Sequence, residues 1–334
     1  MSLSTRRVVA AVAATASIAL LSACASGTAS QSGSDSADSG SSTIRMATQP
    51  WIGYGAWYVA EDQGYFGDNG ITVEQSTFSN DSDLTASFVS GSVDVANVST
   101  HAAMRLLQQG LDIKVIMIED VSEKADAILA PKDVTSITDL AGKSVAYEQG
   151  STSDLLLNYA LQSEDMTLDD INAVPLNASD AGAALISGQV DAAVTYEPYI
   201  TTALGEDSDL NLLYTAGEQP GLVSDVLIAS TDYIDGHKKE LTALVKSWGQ
   251  GIDYYNENTD EARAVISEGV GEEPDALKTA FDGVKYYDGE ENASDLGGDF
   301  KETTMPLVLK AAKAAKIIEG DPDLDKLVDT QFVE

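Results

Sequence analysis

The chain of 334 residues is long enough for two ordinary domains or one large one, and its hydrophobic content of 43% can form a globular core. Acidic residues number 54 against 19 basic residues, which gives a formal net charge of −35. This charge excludes nucleic acid as a partner, because a phosphate backbone requires a basic surface. It agrees with a protein that self-repulsion keeps soluble, and it says nothing about the fold.

The first residues predict a secretory signal followed by a tether. Two arginines precede the apolar run Val8 to Leu20, which is too short to span a bilayer comfortably. We therefore predict a signal peptide over residues 1–23. Cys24 is the only cysteine, so the sequence offers neither a disulfide nor a cysteine-based metal site. Residues 24–42 are rich in serine, glycine, alanine and threonine, a composition that predicts a flexible tether.

From residue 43 onwards, short apolar strands alternate with amphipathic helices. Leu84 and Phe88, for example, lie four residues apart and share one face of a predicted helix. The alternation predicts crossover units and a mostly parallel sheet. The predicted strands of the first half are 43–48, 71–75, 93–98 and 113–118, and the predicted helices are 56–63, 81–90 and 100–109.

The second half repeats this pattern, and the strand at 226–229 is expected to return the chain to the first sheet. The final hundred residues are predicted to be mainly helical. The remaining predicted strands are 144–147, 173–176, 192–195 and 211–214, and the remaining predicted helices are 151–162, 179–187, 239–255, 260–268 and 300–318.

Two stretches of the chain are close copies of each other. Ser90 to Thr100 reads SGSVDVANVST, and Ser187 to Glu197 reads SGQVDAAVTYE. In each copy a helix is predicted to end at glycine, and Val-Asp begins a buried strand. The polar residues that follow are Asn97, Ser99 and Thr100 in the first copy and Tyr196 and Glu197 in the second. Ligands of open α/β sheets lie beyond the carboxyl ends of the strands, so two facing halves would place both segments in one cleft. The alternative is that Ser-Gly-x-Val-Asp is only generic helix-to-strand chemistry.

Five phrases together resemble the substrate-binding proteins of bacterial ABC importers for nitrate, taurine and aliphatic sulfonates. They are TQPWIGYGAWYVAEDQGYF (48–66), SGSVDVANVS (90–99), SEKADAILA (122–130), DLAGKSVAYEQGSTSDLLL (139–157) and VDAAVTYEPY (190–199). The resemblance implies an α/β fold of two Rossmann-like lobes joined by two crossover strands, the periplasmic-binding-protein type II architecture, with a ligand cleft between the lobes. Crossings are expected near 127–130 and 226–229. Lobe 1 would then comprise residues 43–128 plus 229–334, and lobe 2 residues 129–228.

The same resemblance implies an extracytoplasmic, non-enzymatic protein without a cofactor, which captures a small molecule as a monomer and delivers it to an ABC permease and its ATPase. The sequence Leu21-Ser22-Ala23-Cys24 resembles a lipobox, which implies a lipid on Cys24 that anchors the protein to the cell membrane; the alternative is a secreted protein without a lipid. A surface sensor without its own permease is a second alternative. A third is an enzyme like the thiamine-pyrimidine synthases, whose Cys-rich segment this chain lacks.

Two segments are candidates for direct ligand contact. Gly150, Ser151 and Thr152 open a predicted helix, where free N–H groups and the helix dipole favour an anion; the alternative is a simple helix cap. Trp51 and Tyr54 lie on a glycine-rich turn after the first strand. Their aromatic faces suit the apolar body or cationic nitrogen of a ligand, although they could instead pack beneath a lobe.

The loops of the expected cleft carry carboxylates and no lysine or arginine. These residues are Glu119, Asp120, Glu148, Glu197 and Asp225, with His101 as the one potential cation. A simple anion such as nitrate would be costly there, so a ligand with a basic nitrogen is favoured. It could be an aminosulfonate zwitterion such as taurine, with its acidic end on the Ser151 helix, or a nitrogen heterocycle such as a thiamine-precursor pyrimidine.

Glu197 and Asp225 are the preferred partners for the nitrogen, and Asp120 is included in the site, although each could cap a helix instead. The only histidines, His101 and His237, are too few for a usual zinc site or a histidine-based catalytic site, so no metal is expected.

Overall fold

The computed structural model describes residues 42–333. The predicted signal peptide, Cys24 and residues 24–41 of the predicted tether lie outside these residues, whereas Ser42, the last residue predicted for the tether, begins the first strand. The strands are β1 (Ser42–Thr48), β2 (Ile71–Thr77), β3 (Val95–Ser99), β4 (Ile113–Ser122), β5 (Asp126–Pro131), β6 (Ser144–Tyr147), β7 (Asn172–Pro175), β8 (Ala192–Tyr196), β9 (Leu210–Thr215), β10 (Ser224–Ser230) and β11 (Val284–Tyr286).

Helices connect and cover these strands. They are α1 (Gly55–Asp62), α2 (Tyr65–Asp68), α3 (Asp81–Val89), α4 (Thr100–Gln108), α5 (Thr152–Ser163), α6 (Ala178–Ile186), α7 (Tyr199–Glu206), α8 (Thr231–Gly236), α9 (Lys238–Glu257), α10 (Thr259–Gly269), α11 (Gly289–Asp295) and α12 (Met305–Ala314). In the described part of the chain, no helix is long and apolar enough to cross a membrane.

The strands form two sheets, which confirms the expected two-lobe α/β fold. The first sheet has the order β11-β4-β10-β3-β1-β2, and the second has the order β7-β6-β8-β5-β9. The predicted parallel pairing holds for β1 with β2 and β3, and for β6 with β7 and β8. The strand that enters each sheet from the other lobe, β10 or β5, runs antiparallel to both of its neighbours. Both sheets are therefore mixed: most strands of each run in one direction, as predicted, and β5, β10 and β11 run against them.

The aspartate of each copy of the repeated motif links two neighbouring strands by a hydrogen bond. Asp94, which precedes β3, accepts the backbone N–H of Arg45 on β1 at 2.8 Å, and Asp191, which precedes β8, accepts that of Ser144 on β6 at 2.7 Å. The preceding glycines, Gly91 and Gly188, have φ values of 73° and 70°, a conformation that favours glycine. The repetition thus has a structural cause at this end of each strand.

The chain passes between the sheets earlier than the sequence suggested. Hydrogen bonds assign β5 to the second sheet and β10 to the first, so the connections are residues 123–125 and 216–223. The crossings expected near 127–130 and 226–229 fall inside β5 and β10, the first strands after the two connections, and the lobe boundaries stay a prediction. A short apolar strand can join either sheet, so its sequence does not say on which side of a crossing it lies.

The larger core includes the first sheet, the C-terminal helices and one face of the second sheet with α5. The rings of Trp57 on α1 and Trp248 on α9 are 4.8 Å apart, and both side chains are fully buried. The two helices approach so closely that a Cβ at Gly251 would lie 2.5 Å from the carbonyl oxygen of Ala56. A smaller cluster lies under the second sheet. The predicted helix 300–318 is shorter than expected: a π-helical turn, Phe300–Thr304, precedes α12, which ends at Ala314.

Candidate ligand-binding cleft

A cavity with about 340 Å³ of empty space lies where residues of the two sheets face each other. Ser99 on β3 and Asp225 on β10 line it from the first sheet, and Asp126 on β5 and Tyr196 on β8 line it from the second. This value counts all space between the atoms, including solvent at the opening. The cavity is small, and residues of both lobes bound it.

The two copies of the repeated motif meet at this cavity. Ser99 is the last residue of β3, and Tyr196 is the last residue of β8. Only 7% of Ser99 and 8% of Tyr196 is exposed, and neither hydroxyl has a hydrogen-bond partner. Buried polar groups are nearly always satisfied, so these two hydroxyls are free to bind a ligand. The prediction that both strand ends open into one cleft agrees with this geometry.

Aromatic side chains form walls of the cavity. Trp51 and Tyr54 lie on the turn between β1 and α1, as their sequence positions suggested. The indole Nε1 of Trp51 donates to Oδ2 of Asp120 at 3.1 Å, which fixes the ring. Its ring meets that of Tyr196 edge to face, with 5.7 Å between centroids and 85° between planes. A Cβ at Gly53 would lie 2.0 Å from the Trp51 Nε1 atom, so the turn requires glycine at this position.

Three carboxyl groups line the cavity, from Asp81, Asp126 and Asp225. Burial raises the pKa of Asp126 to about 7, and the neighbouring Ser122 and Thr152 hydroxyls oppose this shift. Burial, together with the nearby carboxylates, also raises the pKa of Asp225 well above its usual value, and the Tyr54 hydroxyl opposes this shift by donating to it. The pKa of the half-buried Asp81 is raised by burial as well. The cavity is thus lined by three carboxyl groups whose ionisation burial opposes.

Two further carboxyl groups lie behind this lining, on β4. Glu119 and Asp120 are fully buried, and each has one oxygen without a hydrogen-bond partner. Trp57 Nε1 donates to the other oxygen of Glu119 at 2.7 Å. Burial raises the pKa of both groups well above its usual value. Asp120, predicted as a ligand residue, therefore orients Trp51 and does not line the cavity.

The N-terminus of α5 is already occupied by the protein's own side chains. The N–H of Gly150 donates to Asp154 at 2.8 Å, and the N–H of Ser153 donates to the Ser151 hydroxyl at 3.1 Å. Ser151 therefore caps the helix, the alternative noted for the sequence. Of the three predicted residues, only Thr152 lines the cavity, where its hydroxyl donates to Asp126.

Three other predicted residues make contacts within the protein and do not line the cavity. Both carboxylate oxygens of Glu197 accept hydrogen bonds from Thr201, from its N–H and its hydroxyl, each at 3.0 Å. Thr100 donates to the carbonyl oxygen of Ser224 at 3.0 Å. Asn97 is fully buried and donates to Thr48 at 3.1 Å. Glu197 thus caps α7 and does not reach the cavity.

One carboxylate joins the two lobes at the edge of the cavity. Glu148 follows β6 of the second sheet, and its Oε1 accepts the N–H of Asp81, the first residue of α3, at 3.0 Å. Its Oε2 accepts the N–H of Ala178, the first residue of α6, at 3.3 Å. Burial raises the pKa of Glu148 to about 7, against the effect of these two donors.

A second contact between the lobes uses the carbonyl oxygen of Gly150. Arg105 on α4 donates to it at 2.8 Å, and a ring nitrogen of His101 lies 3.3 Å from it. Burial and the charge of Arg105 lower the pKa of His101 to about 3, so its imidazole is neutral. Arg105 is the cation that the analysis of the loops missed, because it lies one helical turn beyond His101. Neither residue lines the cavity.

The sequence analysis also missed residues that do line the cavity. Asp81 opens α3, Asp126 opens β5, and Gln49 and Val223 lie on connecting segments. Tyr196 was placed in the loop of the second copy but was not counted as a ligand residue. Within residues 42–333, no group of three or more His, Cys, Asp or Glu side chains is arranged to hold a metal ion.

A family model described as NMT1/THI5 like matches residues 51–262, which is more than half of the chain. The chain belongs to the NMT1/THI5-like family. The match covers the Trp51 turn, both copies of the repeated motif and both connections between the lobes. It ends within the helices that follow β10.

Curated relatives of this NMT1/THI5-like chain are binding proteins. A candidate binding protein of Brucella abortus is 28% identical over 144 residues, so the alignment spans less than half of either chain, 43% of this one and 44% of the relative. The taurine-binding periplasmic protein of Escherichia coli is 20% identical and matches 82% of this chain and 87% of its own. The formylaminopyrimidine-binding protein of Halalkalibacterium halodurans is 25% identical and matches 63% and 64%.

Solved structures share the fold. The alkanesulfonate-binding protein SsuA of Xanthomonas axonopodis superimposes with a TM-score of 0.72 at 17% identity, over 86% of this chain and 98% of its own. The desulfurization enzyme DSZB superimposes with a TM-score of 0.62 at 14% identity, over 87% and 97%. The fold is therefore that of periplasmic binding proteins, and it also serves an enzyme.

Proposed function

We propose that this NMT1/THI5-like protein is the extracytoplasmic solute-binding lipoprotein of an ABC importer, which closes on a small organic molecule and presents it to a permease. The observation that carries the proposal is the small cavity lined by both lobes, with a hydroxyl from each lobe left without a partner. A ligand held there would stabilise the closed form, because it contacts both lobes only when they are together. The bonds of Glu148 and Arg105 across the lobes support such closure.

The location and the partners of the protein are further parts of the proposal. A lipid on Cys24 would hold the protein at the cell membrane, and residues 24–42 would let the two lobes reach the permease and its associated ATPase. We propose that the protein works as a monomer and without catalysis. Mass spectrometry of the protein from native membranes should find a diacylglyceryl group on Cys24, and Cys24→Ser should release the protein into the medium.

The relatives suggest two classes of ligand. One is a sulfonate such as taurine, and the other is a nitrogen heterocycle such as an aminopyrimidine. Extraction of the protein purified from native cells, followed by mass spectrometry, should identify one small molecule at about one equivalent. Deletion of the gene should abolish uptake of that molecule. A bound molecule that leaves the protein chemically changed would refute a binding function and favour an enzyme.

A further inference from the structure

We infer that the cleft binds a compact organic cation, whose nitrogen lies among the carboxyl groups of Asp81, Asp126 and Asp225 and which carries no acidic group. This inference deepens the proposed function and rests on it. It narrows the ligand to the class with a basic or quaternary nitrogen, and it excludes free sulfonates and zwitterions of the taurine kind.

The charge of the lining is the first reason. Among the described residues, three carboxyl groups and no lysine, arginine or histidine line the cavity. The neighbouring cation Arg105 is directed at the Gly150 carbonyl oxygen. Buried carboxylates without a counter-ion are costly, because both desolvation and mutual repulsion oppose their ionisation. A cation in the cavity would remove part of this cost, whereas an anion would add to it.

The free hydroxyl groups are a second and independent reason. Ser99 and Tyr196 line the cavity, are more than nine-tenths buried, and have hydroxyls without a partner. A hydroxyl can accept a hydrogen bond from an N–H group as readily as it can donate one. Since leaving such groups buried and unsatisfied costs about 1–3 kcal/mol each, their presence indicates a site built for a polar ligand.

The aromatic walls fit the same ligand. The rings of Trp51 and Tyr196 come from different lobes, meet edge to face at 85°, and both line the cavity. Tyr54 adds a third ring from the turn before α1. Aromatic faces attract cations through the ring quadrupole, and carboxylates around such rings strengthen that attraction. Apolar substituents on the nitrogen would also be buried favourably.

An acidic group would find no cationic side chain in the lining, which is a further reason. Three helices begin at lining residues: α3 at Asp81, α4 after Ser99 and α5 at Thr152. The first of these residues is itself a carboxylic acid, and at α5 the N–H groups of Gly150 and Ser153 already donate to Asp154 and Ser151, whereas α4 has no side-chain cap. A sulfonate in the cavity would therefore meet Asp126 beside Thr152, with no positive charge in the lining to balance it. An aminosulfonate could place its amine among these carboxyl groups, but its acidic end would find no cationic side chain in the lining.

The test compares a small cation with a neutral probe of the same shape and with two sulfonates. We would titrate the full-length protein with choline, with its neutral isostere 3,3-dimethyl-1-butanol, and with ethanesulfonate and taurine, by calorimetry up to about 10 mM, which detects millimolar dissociation constants. We expect choline to bind at least about tenfold more tightly than the neutral isostere, and the two sulfonates not to bind.

Variants locate the effect in the cavity. Asp126→Asn and Asp225→Asn should each weaken choline binding at least about tenfold. Asp133→Asn should not change it, because Asp133 is exposed beyond the other end of β5. If either cavity variant unfolds, the other variant and the choline-to-isostere ratio of the unmodified protein still decide the question.

The outcomes separate the ligand class from the proposed function. Tighter binding of ethanesulfonate or taurine than of choline would overturn the cation and leave the solute-binding function standing. If no probe binds, the molecule extracted from the native protein decides: a cation supports the inference, and an anion or zwitterion overturns it. A native protein that carries no small molecule and binds none of the probes would overturn both.

Discussion

The carboxyl group of Asp126 should make the stability of the empty protein depend on pH. Its pKa is about 7 in the folded protein and 3.8 in an exposed carboxyl group. Between these values the folded state holds a proton that the unfolded state releases, so the free energy of unfolding falls as the pH rises toward 7. From about pH 5 to about pH 8, this single group should lower the free energy of unfolding by about 2–3 kcal/mol.

Urea denaturation of the unmodified protein and of Asp126→Asn, at about pH 5 and about pH 8, measures this effect. The high net charge also makes stability depend on pH, so the relevant quantity is the difference between the two proteins. The variant should lose about 2–3 kcal/mol of the pH-dependent change, and the control Asp133→Asn should retain it. An unchanged pH dependence in Asp126→Asn would mean that Asp126 is ionised in the empty cleft, and the electrostatic reasoning would be wrong.

Three other substitutions test the cleft. Tyr196→Phe removes a buried hydroxyl without a partner, so the empty protein should become more stable by up to about 1 kcal/mol while choline binding weakens. Glu148→Gln leaves one oxygen for two N–H groups and so weakens the contact between the lobes. Small-angle scattering should show a larger radius of gyration, and calorimetry should show weaker ligand binding. Gly53→Ala should abolish binding and lower the melting temperature, since the added Cβ would lie 2.0 Å from Trp51 Nε1 and 2.3 Å from Asp120 Oδ2.

Two of these substitutions have a matched control. Gly67→Ala adds a methyl group where nothing lies within 4 Å, so binding should not change. Glu164→Gln removes an exposed charge just beyond α5 and should leave the radius of gyration unchanged. A loss of stability in Tyr196→Phe would show that its hydroxyl is satisfied in the empty protein. An unchanged radius of gyration in Glu148→Gln would show that other contacts hold the lobes together.

The alternation of strands and helices could be predicted from the sequence because hydrophobic periodicity is a local property. The strand 144–147 has the predicted bounds, and α4 and α5 end within a residue of prediction. Elements without a clear period were missed, such as the three-residue strand β11 and the short helices α7 and α11. Their formation depends on packing against distant parts of the chain, which a single sequence does not encode locally.

Site residues at strand ends could be predicted from the sequence. Residues whose role depends on the direction of the side chain could not. Ser99 and Asp225 follow from the rule that ligands lie beyond strand ends. Tyr196 and Glu197 are adjacent, and adjacent side chains of an extended segment point to opposite sides, so the sequence could not tell which one faces the ligand. Asp126 is the first residue of the apolar strand β5, and no sequence pattern around it marks it as a ligand residue. Its position depends on where the chain crosses between the sheets.

The second sheet is built from one uninterrupted segment, β5 to β9, whereas the first sheet needs strands from both sides of that segment. During synthesis, residues 126–215 are complete before β10 and β11 exist. The lobe that contains the second sheet can thus form its native strand pairs while the first sheet still lacks two strands. Residues 126–215 expressed alone should therefore fold independently.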